Sequence, residues 1–93
     1  MHNQRIFNKF EAERRKIAEE RKITQMIQVY AFFRRDGMSA IEARQCLIEL
    51  FHDVQTIDTI YDEFEALLFK YASQNQNSTA IVLVTQQLKL KNV

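Results

Sequence analysis

The chain has 93 residues, of which 46% are hydrophobic and 27% are charged, and its formal net charge at pH 7 is +1. A chain this apolar is not a disordered tail, and its near-zero net charge lacks the strong positive field usual for nucleic-acid-binding domains. One glycine and no proline leave few obligatory turns, so we predict one folded domain, residues 1–93, built from long helices.

Cysteine content and the lengths of the apolar runs indicate where the protein resides. Cys46 is the only cysteine, so nothing in the sequence points to an oxidising compartment. Residues 1–16 contain no uninterrupted apolar stretch of the kind found in signal peptides. No apolar run is longer than that of residues 80–84, which is far shorter than the roughly 20 residues that span a membrane. We therefore expect a cytoplasmic protein without membrane contact.

Charge is distributed unevenly along the chain. Residues 1–38 carry nine Lys or Arg and five Asp or Glu, residues 39–72 carry two and seven, and residues 73–93 add two lysines. The basic first part and the acidic middle complement each other within one chain or between two. Neutralisation within one chain is the simpler interpretation, because surface charges have modest effects.

Residues 5–22 have the pattern of a solvated helix. Acidic and basic residues recur three and four positions apart, and each such pair stabilises a helix by about 0.2–0.5 kcal/mol. Phe10 and Ile17 fall on one side of this helix, where Arg14 and Arg21 interrupt the apolar surface. This segment therefore docks weakly or binds a partner.

An apolar stripe follows in the same helix. It lies roughly 150° around the axis from Phe10 and Ile17, at about 100° per residue, so one straight helix cannot bury both faces against the same neighbour. Either the chain bends near residues 21–24 or the first turns pack against something else. No breaker is present, so we favour the second interpretation and predict one helix over about 5–35. The stripe consists of Ile23, Met26, Ile27, Tyr30 and Phe33.

The end of this helix and the start of the next are strongly marked. Arg34 and Arg35 suit the negative end of the helix dipole, and Gly37 can adopt the left-handed conformation that ends helices. Ser39 and Glu42 match the capping box S-x-x-E. We predict a helix boundary at residues 36–39.

Residues 40–71 carry a heptad pattern, which we call the heptad seam. Every a and d position is apolar or aromatic, as is typical of a helix covered by another helix. Asp53 and Thr56 are both competent N-caps, so we predict two helices, about 39–53 and 56–72, with one continuous helix as the alternative. The seam residues are Ala40, Ala43, Leu47, Leu50, Val54, Ile57, Tyr61, Phe64, Leu68 and Tyr71.

The tail is ambiguous between helix and strand. Residues 73–79 form a polar linker, and residues 80–85 are rich in β-branched side chains. We favour a helix over about 79–90, because the rest of the chain is helical, and keep a strand pairing between protomers as the alternative. The predicted fold is thus an all-α bundle of three to four helices, completed as a homodimer.

The sequence shows no recognisable catalytic, cofactor or metal site. Gly37 is the only glycine, so P-loop and dinucleotide motifs are absent. His52 lies at a predicted helix end, where histidine is most often a cap or surface residue. Cys46 lies beside the heptad seam and has the position of a structural thiol. We predict that the protein is not an enzyme and uses no cofactor.

Protein–protein interaction is the function class with positive support. The apolar and aromatic residues exceed what a small helical core needs, and aromatic side chains are enriched at interface cores. We predict an adaptor or inhibitor of a larger protein that also self-associates. The predicted partner-binding residues lie off the main apolar stripes and are Phe10, Ile17, Val29, Phe32 and Phe69.

A small nucleic-acid-binding regulator is the alternative. Its basic residues would contact phosphates or an acidic partner, although the interleaved glutamates of residues 11–20 dilute the positive charge. The candidate contacts are Arg14, Arg15, Arg21, Lys22, Arg34 and Arg35.

Overall fold

A computed structural model describes the backbone of residues 2–92 and the side chains of residues 8–92. It contains four helices and, within residues 2–92, no strand: α1 (His2–Arg35), α2 (Ala40–Phe51), α3 (Val54–Ala72) and α4 (Asn77–Lys91). The all-α prediction is confirmed, and the ambiguous tail is a helix. α1 continues through residues 21–24 without interruption, so the prediction of one long helix is confirmed.

The predicted boundary after α1 is confirmed in detail. Gly37 has φ of 97°, and the N–H of Met38 donates across the turn to the carbonyl of Phe33 at 3.1 Å, as in a Schellman motif. The hydroxyl of Ser39 then accepts a hydrogen bond from the backbone N–H of Glu42 at 3.2 Å. The main-chain groups at both helix ends are therefore satisfied by residues that the sequence marks for these roles.

Two residues connect α2 to α3, so the prediction of two helices is confirmed. His52 has φ of 59°, and its N–H donates to the carbonyl of Ile48 at 2.8 Å, which ends α2. The carboxylate of Asp53 accepts from the N–H of Thr56 at 3.2 Å and caps α3. A left-handed residue followed at once by an N-cap reverses the chain without a glycine.

The helices form an up-down-up-down bundle. Each helix packs on its chain neighbour, α4 packs back on α1, and α1 also contacts α3 across the diagonal. The ion pairs Lys22–Asp53 and Arg34–Glu65 show that α1 and α3 run parallel, because both partners advance along the chain together. The short connections make successive helices antiparallel, as in other bundles of this topology.

The core between the helices is entirely apolar or aromatic. The ring of Tyr30 packs edge-to-face on Phe64, with 4.8 Å between ring centroids, and also contacts Tyr61. The buried residues contributed by α1 belong to the stripe predicted there, joined by Ala31. The core consists of Met26, Ile27, Tyr30, Ala31, Ala43, Leu47, Ile57, Ile60, Phe64, Leu68, Ala80, Ile81, Val84 and Leu88.

The heptad seam is covered within the chain over most of its length. Ala43, Leu47 and Phe64 are fully buried. Leu50 and Val54, in contrast, are 59% and 46% exposed. These two residues flank the turn at residues 52–53, so they lie at the end of the bundle, where no other helix covers them.

One polar cluster lies at the edge of the core and joins α1 to α3. Glu65 accepts hydrogen bonds from the hydroxyl of Tyr30 at 2.7 Å and from two nitrogens of Arg34 at 3.0 Å each. Arg34 also donates to the carbonyl of Met38 at 2.7 Å. Burial, together with the bond to Glu65, raises the pKa of Tyr30, so its hydroxyl remains a donor. We call these residues the Glu65 cluster.

We predict that Glu65→Ala lowers the free energy of unfolding by about 2 kcal/mol, because it leaves two partly buried donor groups without their charged acceptor. Urea denaturation followed by circular dichroism measures the effect. Lys91→Ala, which removes the exposed Lys91–Glu63 pair, is the control and should change stability by less than about 1 kcal/mol. Equal effects of the two substitutions would contradict a stabilising role of the Glu65 cluster.

Candidate interaction surface

The N-terminal half of α1 projects beyond the other helices. α1 has 34 residues, which makes it about 50 Å long, whereas the 19 residues of α3 reach only about 28 Å. The longest dimension of the molecule, 58 Å, is close to the length of α1. We call residues 8–21 the N-terminal extension; their side chains are exposed, apart from the half-buried Glu11 and Glu20.

The sequence of the extension explains why it does not pack on the bundle. The side of α1 that carries Met26 and Tyr30 in the core continues into the extension as Ala12, Lys16 and Glu19, by helical periodicity. That side is too polar to be covered by α2, α3 or α4. The extension reaches the bundle only at its end, where Ile17 and Arg21 lie beside Asn92.

The apolar residues of the extension point away from the core. Phe10 is 65% exposed and Ile17 is 44% exposed. Their side of the helix continues into the packed half of α1 as Gln28 and the exposed Phe32. We call this side the outer face of α1; from Phe10 to Phe32 it is about 33 Å long. The sequence predicted that this face lies outside the core. Its contact with a partner protein remains a prediction.

The outer face of α1 merges with a groove between α1 and α4. An open groove of about 650 Å³ is lined by Phe32, Val82 and Gln28, among others. A second depression, of about 480 Å³, is lined by Gln28, Ile17 and Asn92. Because Gln28 borders both, the two depressions adjoin along α1 and α4.

The structure brings three of the five predicted partner-binding residues onto one face. Phe10, Ile17 and Phe32 lie on the outer face of α1. Val29 is half-buried and packs against the core, so α1 positions it for a structural contact. Phe69 is 85% exposed on α3, a helix that does not contribute to the outer face.

Other exposed apolar residues were not predicted as contacts. Leu50 and Val54 were assigned to the heptad seam, and the N-cap at Asp53 was the signal that could have placed them at a bundle end. Val82 and Leu90 lie on α4 and are exposed; the helix–strand ambiguity of this segment left their orientation open.

Two of the predicted basic residues are bound to acids of the same chain. Lys22 lies 3.3 Å from a carboxylate oxygen of Asp53, and Arg34 belongs to the Glu65 cluster. Both acids come from the acidic middle of the sequence. The complementary charges are thus paired within one chain at these two places.

The other four predicted basic residues are exposed but do not form a continuous patch. Arg14 lies 3.7 Å from Glu11, and Arg15 and Arg21 belong to the same extension. Arg35 is 14 residues further along α1, or about 21 Å. The N-terminal extension therefore carries a cluster of three arginines, which Arg35 does not join.

No catalytic arrangement was predicted, and the described side chains of residues 8–92 contain no group of three His, Cys, Asp or Glu that could hold a metal ion. His52 is the exposed left-handed residue that ends α2. Cys46 is half-buried. The absence of enzymatic activity stays a prediction.

Comparison of this protein with protein-family models, with curated proteins and with solved structures finds no match. Within residues 2–92, no helix combines the length and apolarity needed to cross a bilayer. The surfaces that the helices expose are therefore the guide to function.

Because Asp53 is charged and contacts Lys22, we expect the stability of the fold to depend on pH. Hydrogen bonds from Thr56, together with Lys22, hold the pKa of Asp53 below its ordinary value of 3.8. Asp53 therefore stabilises the fold at pH values above 3.8, and this stabilisation is lost as the pH falls through the lowered pKa. Asp53→Asn keeps a capping oxygen without the charge.

The unfolding free energies of the wild type and Asp53→Asn, measured in urea between pH 7 and pH 2, should differ most above pH 5 and converge at low pH. A difference that stays constant over this range would show that the charge of Asp53 does not contribute.

Proposed function

We propose that this chain is a non-enzymatic protein–protein interaction module, an adaptor or inhibitor that occupies a surface of a larger protein. The observation that carries the proposal is the N-terminal extension, which holds Phe10 and Ile17 away from the core. An isolated helix of this length is marginally stable in water, and burying a large apolar side chain contributes about 1.5–3 kcal/mol. Binding of a partner would stabilise the helix and cover its apolar side chains together.

The mode of binding follows from the spacing. Phe10 and Ile17 are two helical turns apart on the same side, as are the anchors of helices that dock into apolar grooves. Arg14 and Arg21 border these anchors and are suited to acidic residues at the rim of such a groove. The partner surface is accordingly an apolar groove with an acidic border.

The bundle holds the N-terminal extension in a fixed orientation. Because α1 is continuous, the core contacts of Met26 and Tyr30 fix the direction in which the extension leaves the bundle. The apolar residues that remain exposed elsewhere, Leu50 and Val54 among them, support self-association of the module as a homodimer. A cytoplasmic location belongs to the same proposal and is supported by the presence of only one cysteine in the sequence.

A second candidate function uses the same helix. Arg14, Arg15 and Arg21 are exposed together on the N-terminal extension and could contact the phosphates of a nucleic acid. Lys22 and Arg34 do not strengthen this candidate, because both are bound to acids of the bundle. Nuclease treatment of the captured material distinguishes the two functions.

We predict that Phe10→Ala combined with Ile17→Ala abolishes partner capture and leaves the melting temperature unchanged, since neither side chain contributes to the core. Immobilised wild type and variants are incubated with lysate of the native cell, and retained proteins are quantified by mass spectrometry. The matched control, Ile41→Ala combined with Leu90→Ala, removes two exposed apolar residues of α2 and α4 and should retain the same proteins as the wild type.

Retention of the same partner by the Phe10→Ala, Ile17→Ala variant would contradict the proposed surface. Retention that disappears after nuclease treatment, and also in a variant with Arg14, Arg15 and Arg21 changed to Ala, would favour the nucleic-acid function. The lead proposal predicts retention that nuclease does not affect.

A further inference from the structure

The turn between α2 and α3 is strained and short. It consists of two residues, and its first, His52, carries a side chain in the left-handed region with φ of 59°, which only glycine adopts freely. The other reversal with positive φ, after α1, uses Gly37. Short, strained connections of this kind favour exchange of segments between identical chains.

The sequence across this turn is that of a single helix. The heptad seam continues through residues 50–54 without a change of phase. No glycine or proline lies between Ala40 and Tyr71. Of the ten seam residues, only Leu50 and Val54 are exposed in the bundle, and they flank the turn on either side. The folded chain thus leaves uncovered the two seam residues that a continuous helix would present together.

We infer that the turn at residues 52–53 opens and that two copies of this chain exchange α1–α2 units. In the exchanged dimer, α2 and α3 join into one helix over residues 40–72, and α1–α2 of each chain packs on α3–α4 of its partner. The inference gives a mechanism to the self-association that forms part of the proposed function. It rests on the turn and on the α2–α3 contacts, and not on the apolar side chains of the outer face of α1.

The register of α2 and α3 is compatible with exchange. The two helices pack antiparallel about the turn, and the guanidinium of Arg44 donates to the carboxylate of Asp58 at 2.6 Å. In the exchanged dimer, the same pair forms between chains in the same register. The Arg44–Asp58 pair centres the antiparallel register on residue 51, so Leu50 and Val54 of both chains lie within about one helical turn of the two-fold axis. Exchange therefore preserves the α2–α3 contacts and covers both exposed residues.

The Asp53 cap opposes exchange. In the closed chain, Asp53 accepts from the N–H of Thr56 and pairs with Lys22, and a continuous helix would give up the capping bond. The equilibrium between the two forms is thus set by residues 50–54: strain at His52 and exposure of Leu50 and Val54 favour opening, and the cap favours closure.

The test changes His52 in two directions. His52→Gly removes the left-handed strain and disfavours the continuous helix, whereas His52→Ala keeps the strain and favours the helix. We expect the dimerisation constant of His52→Ala, measured by analytical ultracentrifugation of the full chain, to exceed that of His52→Gly by at least about 100-fold, because both chains of the dimer contribute.

Charge reversal then distinguishes exchange from a contact between closed chains. In the His52→Ala background, Arg44→Asp and Asp58→Arg are prepared as separate proteins, each of which places like charges opposite one another. When the two are mixed, an exchanged dimer pairs opposite charges at both contacts only in the heterodimer. Native mass spectrometry should therefore show heterodimer well above the statistical half.

Statistical mixing, or a strict monomer for His52→Ala, would overturn the inference. A dimer that does not respond to His52 and is lost in the Phe10→Ala, Ile17→Ala variant would also overturn it, and would show association through the outer face of α1. Statistical mixing and a strict monomer do not bear on partner capture by the outer face, so failure of the inference and failure of the proposed function are separable.

Discussion

Burial of one side of the second half of α1 is the contact on which the rest of the structure depends. Met26, Ile27 and Tyr30 are fully buried, and α1, like α3, packs against all three other helices. Because α1 contains no breaker, fixing its second half also fixes the direction of its first half. The exposed helix that we propose as the binding element is thus held in place by the core.

Polar contacts then determine how the helices are arranged around that core. The Glu65 cluster joins α1, α3 and the loop after α1, and Lys22–Asp53 joins α1 to the start of α3. Apolar packing is non-directional, so these bonds add the specificity that a small core of apolar side chains lacks. They also pair Lys22 and Arg34, two of the basic residues that were predicted to contact nucleic acid or an acidic partner.

Local signals predicted much of this architecture, and long-range pairing could not be predicted. Gly37 and Ser39 act on their own neighbours, so the boundary that they mark was correct. The choice of Asp53 as partner for Lys22 depends on how the helices pack, which no local pattern specifies. In α4, burial of Val84 and Leu88 in the core outweighs the β-propensity of the segment, as tertiary context often does.

The candidate site was predictable in part for the same reason. Phe10 and Phe32 could be recognised because they lie off the buried stripe of their own helix. Val29 also lies off that stripe, yet it packs against the core, since a helix in contact with several neighbours buries more than one side. The exposure of Leu50 and Val54 follows from the reversal at His52, a left-handed residue that propensity does not predict.

The central claim is that α1 is one helix whose first half has no support from the bundle. Hydrogen exchange of individual amides tests it most directly. We expect amides of residues 8–16 to exchange at least about 100-fold faster than those of residues 26–34, which open only with the bundle. Equal protection along the whole of α1 would contradict the account, since it would require that the N-terminal extension be covered in the isolated protein.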